Sequence, residues 1–217
     1  MGIAVLLRHG HSTANAKSLL TGRLPGVLLS DSGEQQARDL APAFSALTPA
    51  SVSVSPLERT QQTARLVFGQ REFINEVGII ECDYGDWSGR DLKELAEEPL
   101  WRDVQSSPST VRFPNGERLI DMASRSVRTV RERCTDGGVH VFVSHGDIIK
   151  AVVSDACGAR FDDFQRIVVD PCSISLIAYG EQVRLLAVNI PITGAAAALE
   201  GIAKSDRGTV GGGGGTA

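Results

Sequence analysis

Two His-Gly pairs stand immediately after apolar runs. Arg8-His9-Gly10-His11-Ser12-Thr13-Ala14-Asn15 follows the run at residues 3–7, and Ser144-His145-Gly146-Asp147 follows the run at residues 139–143. Only four histidines occur in the chain, so half of them occupy this one kind of position. A neutral histidine held by a hydrogen bond can act as a nucleophile. An adjacent arginine presents a fixed fork of donors suited to phosphate. A second arginine, Arg59, follows Ser55-Pro56-Leu57-Glu58, which reads as a capping box with proline at the first helical position. Arg59 would then lie in a first helical turn, where the backbone dipole favours an anion. The chemistry these types can support together is phosphoryl transfer, which needs a nucleophile, charge on the equatorial oxygens and a proton for the leaving group. Each residue also has an ordinary reading, as core histidine or solvated arginine. Two strand-end His-Gly pairs in one chain are harder to explain that way.

The elements that must position these residues alternate. Short strands are expected at residues 3–7, 51–54, 139–144, 174–179 and 183–188, the last two forming a hairpin across Gly180-Glu181-Gln182. Their continuous apolar character predicts strands covered on both faces, as in a parallel sheet flanked by helices. Helices are expected at residues 31–47, with Ser30 as N-cap, from residue 55 onward, at 117–134 and at 146–156. The third places Leu119, Ile120, Ala123, Val127, Val130 and Cys134 on one face, and its five arginines read mostly as a solvated opposite face. Residues 85–116 carry three prolines and read as an excursion over the strand ends, helical around 92–97, with Trp87, Trp101 and Phe113 as a partly apolar lid. Carboxyl ends of strands in such sheets are where ligands bind. Order signals stop after Ile192. The chain therefore divides into one domain over 1–203 and a flexible Gly-rich tail over 204–217.

Composition narrows the partners. The 217 residues carry a net charge of −4 and 42% hydrophobic residues, enough for one domain with a sizeable core. The scattered basic residues give no footprint for nucleic acid or an anionic membrane. No apolar stretch approaches spanning length and no signal-peptide pattern opens the chain, so a cytoplasmic protein is expected. The cysteines Cys82, Cys134, Cys157 and Cys172 show no metal-ligand spacing and read as buried free thiols. No metal site and no cofactor is expected.

The chain resembles the histidine phosphatase superfamily, the phosphoglycerate-mutase-like proteins. The resemblance rests on Arg8-His9-Gly10 with Ser12, Thr21-Gly22, Leu29-Ser30 with Gly33 and Gln36-Ala37, Ser55-Pro56-Leu57 with Arg59-Thr60 and Thr63-Ala64, Glu81 with Tyr84-Gly85, Trp87 and Gly89, Gly116-Glu117, and Ser144-His145-Gly146. These motifs stand in the family's order and span roughly residues 3–190. His11 departs from the Glu or Gln usual there. Within the family the chain also looks like the actinobacterial branch loosely called probable phosphomutases.

The resemblance implies a three-layer α/β/α sandwich with a mostly parallel central sheet. It implies His9 as the nucleophile that becomes phosphohistidine, Arg8 and Arg59 as the oxyanion clamp, His145 as a donor to the phosphoryl oxygens and Glu81 as general acid. Asp83 and Asp86 are the competing carboxylates. Ser12, Asn15, Thr21 and Gly22 would join Arg8 and Arg59 in binding substrate, although turn and cap roles account for them nearly as well. His140 reads as structural, and His11 as a residue of the site's mouth or of the surface.

Three functions compete: a metal-independent phosphomonoesterase acting on a small phosphorylated metabolite, a phosphoglycerate mutase or other phosphomutase, and a catalytically silent phospho-ligand binder. The full set of five core residues argues against silence. Cofactor-dependent mutases of the family carry a longer basic insertion after the acid, whereas residues 89–114 are short here. The favoured reading is the phosphatase, with a small phosphomonoester as its partner and a homodimer compatible with the sequence.

Overall fold

The computed structural model describes residues 1–204. Six strands form one sheet in the order β4-β3-β6-β1-β7-β8, with β1 Gly2–Arg8, β3 Ser51–Val54, β4 Ile74–Asn75, β6 Gly138–Ser144, β7 Ile174–Tyr179 and β8 Val183–Ile190. The first four of that order run parallel, while β7 is antiparallel to β1 and β8 antiparallel to β7. A two-stranded ribbon, β2 Leu19–Leu20 with β5 Arg90–Asp91, sits apart from it.

The alternation of β1 shows why its sequence is apolar throughout. Ala4 and Leu6 enter one core with Phe142, Ile148 and Phe164, while Ile3, Val5 and Leu7 enter the other with Leu40, Val54 and Leu199. Successive side chains point to opposite faces, and both faces are covered, so each full burial contributes about 1.5–3 kcal/mol. One layer holds α1 Asp31–Leu40, α2 Glu58–Phe68 and α7 Ile192–Lys204; the other holds α5 Leu119–Arg133 and α6 Gly146–Ala156. This is the expected α/β/α sandwich with a mostly parallel sheet.

Four expectations need correction. Order does not stop at Ile192: the Ala-rich segment favours helix, and Ala195, Leu199 and Ile202 recur on one face of α7 and join the core. The expected tail falls mainly outside the described residues. The helix after Ser55 has no capping box. It starts at Glu58, its cap residue Leu57 makes no side-chain bond, and the Ser55 hydroxyl goes elsewhere. The first helix ends its α-geometry at Leu40 and continues only as a 3₁₀ turn, Ala41–Phe44, because Pro42 has no N–H to donate. Of the four free thiols, Cys157 is exposed.

The 85–116 excursion folds as α3 Leu92–Leu95 and α4 Pro99–Ser106, flanked by 3₁₀ turns at Gly85–Trp87 and Pro108–Thr110. It lies on the α5–α6 side, where Trp87, Leu95, Val104 and Phe113 enter the core.

Candidate active site

The register of the sheet assembles the site. Arg8 on β1 is level with Ser144 on β6, so His9 and His145 emerge side by side, their ring centroids 5.3 Å apart and edge-on. On the other side of β6, Val54 of β3 pairs with Val143. Ser55 therefore reaches the same level, its N–H donating to the Val143 carbonyl at 3.0 Å. The turn at residues 169–173 closes the opposite flank. Arg8 donates Nη1 to the Val169 carbonyl, and the Cys172 N–H lies against the Arg8 and His9 carbonyls.

Gly10 is required by packing. A Cβ there would lie 2.6 Å from the Gly33 carbonyl oxygen, and one on Gly33 would lie 1.9 Å from that of His11. The two glycines let the start of α1 press on the His9 turn. Ser30 caps that helix, accepting from the Gly33 N–H.

His9 is buried, and its Nδ1 lies 2.7 Å from the Gly10 carbonyl. A carbonyl only accepts, so Nδ1 carries the proton and Nε2 presents the lone pair. Arg59 Nε donates to Nε2 at 3.3 Å. Burial, and then the positive charges of Arg59 and Arg8, push the His9 pKa well below its usual value. The ring is therefore neutral, with its lone pair aimed into the site.

His145 is fully buried and stands beside His9 at the carboxyl edge of the sheet. Its Nε2 meets the Ser55 hydroxyl at 2.7 Å, and its Nδ1, 4.0 Å from Glu81 Oε2, has no hydrogen-bond partner. Burial, followed by the charge of Arg59, lowers its pKa too. Ser55 is thus an orienting residue for His145 and not a helix cap.

Arg59 is buried. Its Nη2 donates to the Gly22 carbonyl at 2.9 Å, which ties it to the β2 loop, and its Nη1 has no partner. The Nε of Arg8 is likewise buried and unpartnered. Gly146 covers this spot with bare backbone, where a Cβ would sit 3.5 Å from Arg8 Nε and Cζ.

Glu81 lines the same cavity, with Oε1 accepting from the Cys82 N–H at 3.0 Å. Burial raises its pKa and the charge of Asp147 adds to that, against Arg59, the Cys82 N–H and Arg8, leaving it at about 7. The competing carboxylates are elsewhere. Asp83 lies 3.9 Å from Arg23, and Asp86 accepts from Asn115.

Sequence reasoning missed the support beneath Glu81. The Glu81 carbonyl accepts from Arg23 Nε at 2.9 Å and from Arg125 Nη2 at 3.2 Å. Glu117 joins both arginines and also accepts from the Asp83 N–H. Burial alone would raise Glu117, but its bonds from Arg125 prevail and hold it below its usual pKa. Arg125 thus departs from the solvated face expected of the α5 arginines. The signal was its spacing three residues after the buried Met122. Ile120 and Val127 are only half-buried, and Met122 and Ser126 take the deep positions instead.

The cavity holds about 510 Å³. Arg8, His9, Ser12, Asn15, Thr21, Gly22, Arg59 and Glu81 all line it. Ser12 and Asn15 also bond each other in a turn, Ser12 N and Oγ donating to Asn15 Oδ1 at 2.9 and 2.8 Å. His11 stays outside the lining, its Nδ1 3.0 Å from the Ser30 hydroxyl. His140 is structural as expected, held between Ser51 and the Gly137 carbonyl.

A neutral, oriented histidine beside two arginines, at the strand ends of an α/β/α sheet, defines a phosphoryl-transfer protein. The chain belongs to the histidine phosphatase superfamily (branch 1), whose family model matches residues 4–190. It is 31% identical over 182 residues to a probable phosphoglycerate mutase of Enterobacter sp. (strain 638), covering 81% of this chain and 84% of that protein. It is 33% identical over 189 residues to phosphoserine phosphatase 1 of Hydrogenobacter thermophilus, covering 82% and 87%. Among solved structures, a putative alpha-ribazole-5′-P phosphatase from Escherichia coli K-12 superposes with a TM-score of 0.78 at 25% identity, covering 87% of this chain and 96% of that one.

Proposed function

We propose that the chain is a metal-independent phosphomonoesterase working through a phosphohistidine on His9. The observation that carries this is the convergence of three buried, unpartnered nitrogens, Arg8 Nε, Arg59 Nη1 and His145 Nδ1, around a histidine whose Nε2 is free of its proton. Buried donors without partners cost free energy, and a phosphoryl group bound at His9 would give those donors their acceptors.

In the first step His9 Nε2 attacks phosphorus and the ester P–O bond breaks. Arg59 Nε gives up the imidazole lone pair and turns to a phosphoryl oxygen. The two guanidinium groups carry the charge that a metal ion would otherwise neutralise. Glu81, protonated up to about pH 7, gives its proton to the departing oxygen. In the second step the Glu81 carboxylate takes a proton from water as the water oxygen attacks phosphorus, and the P–N bond breaks to release phosphate and restore His9.

Water is favoured over a second phosphorylated acceptor because the cavity offers a second anion little. Beyond Arg8 and Arg59 the one cation in its described lining is Lys150, already paired with Asp147 at 3.3 Å. Purified protein is expected to release phosphate from simple monoesters at an undiminished rate in EDTA, and to be inhibited by vanadate as a mimic of five-coordinate phosphorus. Loss of hydrolysis in EDTA with recovery on adding a divalent metal would overturn the mechanism. Interconversion of 2- and 3-phosphoglycerate with 2,3-bisphosphoglycerate present, much faster than hydrolysis of every monoester, would replace it by the mutase reading.

Arg125 acts here as a positioning residue, since it touches Glu81 through the main chain. Arg125→Met should lower kcat/KM for alkyl phosphates about tenfold, the size of one lost charged hydrogen bond, and lower it less for p-nitrophenyl phosphate. Arg125→Lys should not restore it, because one ammonium cannot span the Gly78 and Glu81 carbonyls and both Glu117 oxygens. Equal losses on both substrates would mark Arg125 as merely structural.

A further inference from the structure

We propose that the substrate is the phosphomonoester of an uncharged, ring-bearing alcohol, with the ring held against the Trp101 side of the cavity. The inference rests on the phosphomonoesterase reading and concerns the leaving-group half of the same site.

At about 510 Å³ the cavity is far larger than a phosphoryl group and matches the size range that encloses a drug-sized molecule. Its phosphate end is polar, with Arg8, His9, Arg59 and Glu81. The space beyond has a different character. Trp87, Trp101, Phe113, Leu20, Val104 and Ile167 line it. Trp87 stacks on Trp101 with centroids 6.2 Å apart and 25° between planes, and Phe113 meets the Trp87 ring edge-on at 5.3 Å. Trp87 and Phe113 are nearly closed off from solvent, whereas Trp101 is only partly buried and contributes to the cavity wall. A ring entering this space extends an aromatic stack that the protein has already ordered, so little side-chain entropy is lost on binding.

The charges point the same way. Lys150 donates to Asp147 at 3.3 Å and to Gln165 Oε1 at 3.0 Å, and it sits 5.8 Å from the centre of the Phe164 ring. The Asp147 carboxylate also accepts from the Tyr84 hydroxyl at 2.8 Å. Asp170 also lines the cavity, its carboxylate accepting from Asn189 Nδ2 at 2.8 Å. The one lysine of the lining is therefore already held by a carboxylate. A leaving group carrying a carboxylate or a second phosphate would find no unpaired lysine there, and recruiting Lys150 would strip Asp147 of its ion-pair partner. Gln105 and Gln165 in the same wall supply neutral donors and acceptors for hydroxyl or ring nitrogen atoms. Apolar stack, neutralised lysine and amide groups together fit a ring with polar substituents and exclude a small carboxylate.

The test uses three alkyl esters of similar leaving-group basicity, so that chemistry does not mask recognition: 2-phenylethyl phosphate, n-propyl phosphate and 3-phosphoglycerate. For the wild-type protein, kcat/KM is expected to be about tenfold higher for the phenylethyl ester than for the propyl ester, as an added aromatic contact provides, and lowest for 3-phosphoglycerate. Trp101→Leu, which keeps apolar bulk and removes the ring, should cut the phenylethyl-to-propyl ratio about fivefold. Asp147→Asn, which frees Lys150, should raise the ratio of 3-phosphoglycerate to propyl phosphate. Both are ratios within one variant, so a general loss of activity or of folded protein cancels.

Binding is read separately by tryptophan fluorescence of His9→Ala protein, because both tryptophans of the chain line this cavity. Quenching by 2-phenylethyl phosphate but not by propyl phosphate is the expected result. A wild-type preference for 3-phosphoglycerate or propyl phosphate, or an unchanged ratio in Trp101→Leu, would overturn the ring subsite and leave the phosphatase standing. Selective quenching without any wild-type hydrolysis would do the reverse, keeping the subsite and sinking the phosphatase.

Discussion

Replacing His9 with alanine is expected to lower phosphate release by at least about 10⁴-fold, in line with removal of the nucleophile from a covalent mechanism. The size follows from how completely the site is built around one atom. The Gly10 carbonyl holds the proton on Nδ1, Arg59 Nε addresses Nε2, and burial with two guanidinium charges keeps the ring neutral. No other described side chain has a lone pair at that point. His145, the nearest candidate, has its Nε2 engaged by the Ser55 hydroxyl. The fold should survive, because the lost ring is an imidazole desolvated beside two cations; a Tm within about 5 °C of the wild type is expected. Acid-quenched wild-type protein incubated with a labelled monoester should carry a phosphoryl group that is labile in acid and stable in base, as a P–N bond is. His9→Ala should carry none. Near-normal turnover in His9→Ala would refute the assignment.

Glu81→Gln is expected to produce the second largest loss, about 10²–10⁴-fold for alkyl phosphates. An alkoxide is a poor leaving group and needs the proton that a glutamine cannot supply. A nitrophenolate departs without it. With p-nitrophenyl phosphate the first step should therefore stay fast while the second slows, since water also loses its base. The variant should show a burst of nitrophenol and accumulate phosphoenzyme. The pH dependence has a definite sign. Glu81 titrates at about 7 because burial and the charge of Asp147 favour its neutral form. The acid is thus present below about pH 7, and kcat/KM for alkyl phosphates should fall as pH rises through that value. A bound phosphoryl dianion disfavours the carboxylate further, so the corresponding limb of kcat should lie higher. On the acid side His9 sets the limit, and its lowered pKa keeps it unprotonated well below pH 6.5. In Glu81→Gln the alkaline limb should vanish. Persistence of that limb, or equal losses on alkyl and nitrophenyl esters without a burst, would remove Glu81 from the acid role.

The local sequence determined the strands, the alternating layers and the identity of the residues most able to do chemistry. Apolar runs such as residues 3–7 are long enough to specify buried strands, and a strand followed by His-Gly places its histidine at the sheet's carboxyl edge whatever its neighbours are. The Ser30 cap was legible because a cap is a contact between residues three apart.

Only the tertiary structure decided what depends on register and on long-range partners. Pairing Arg8 with Ser144 and Val54 with Val143 brings His9, His145 and Ser55 to one level, and nothing in a single strand encodes its offset against another. The same competition explains the failed capping box. Ser55 had the right neighbours to cap α2, but the buried His145 ring offered a partner that its local sequence could not reveal. Arg125 looked like one of five surface arginines until α5 was packed against the turn that carries Glu81, where the Glu81 and Gly78 carbonyls needed a donor. Only the structure shows that Lys150 is paired, with Asp147 one turn earlier on the same helix as its partner. Residue types state which chemistry is available; the unpaired or paired state of each group, which sets its charge, its pKa and its readiness to meet substrate, is fixed only by what the fold brings within hydrogen-bond distance.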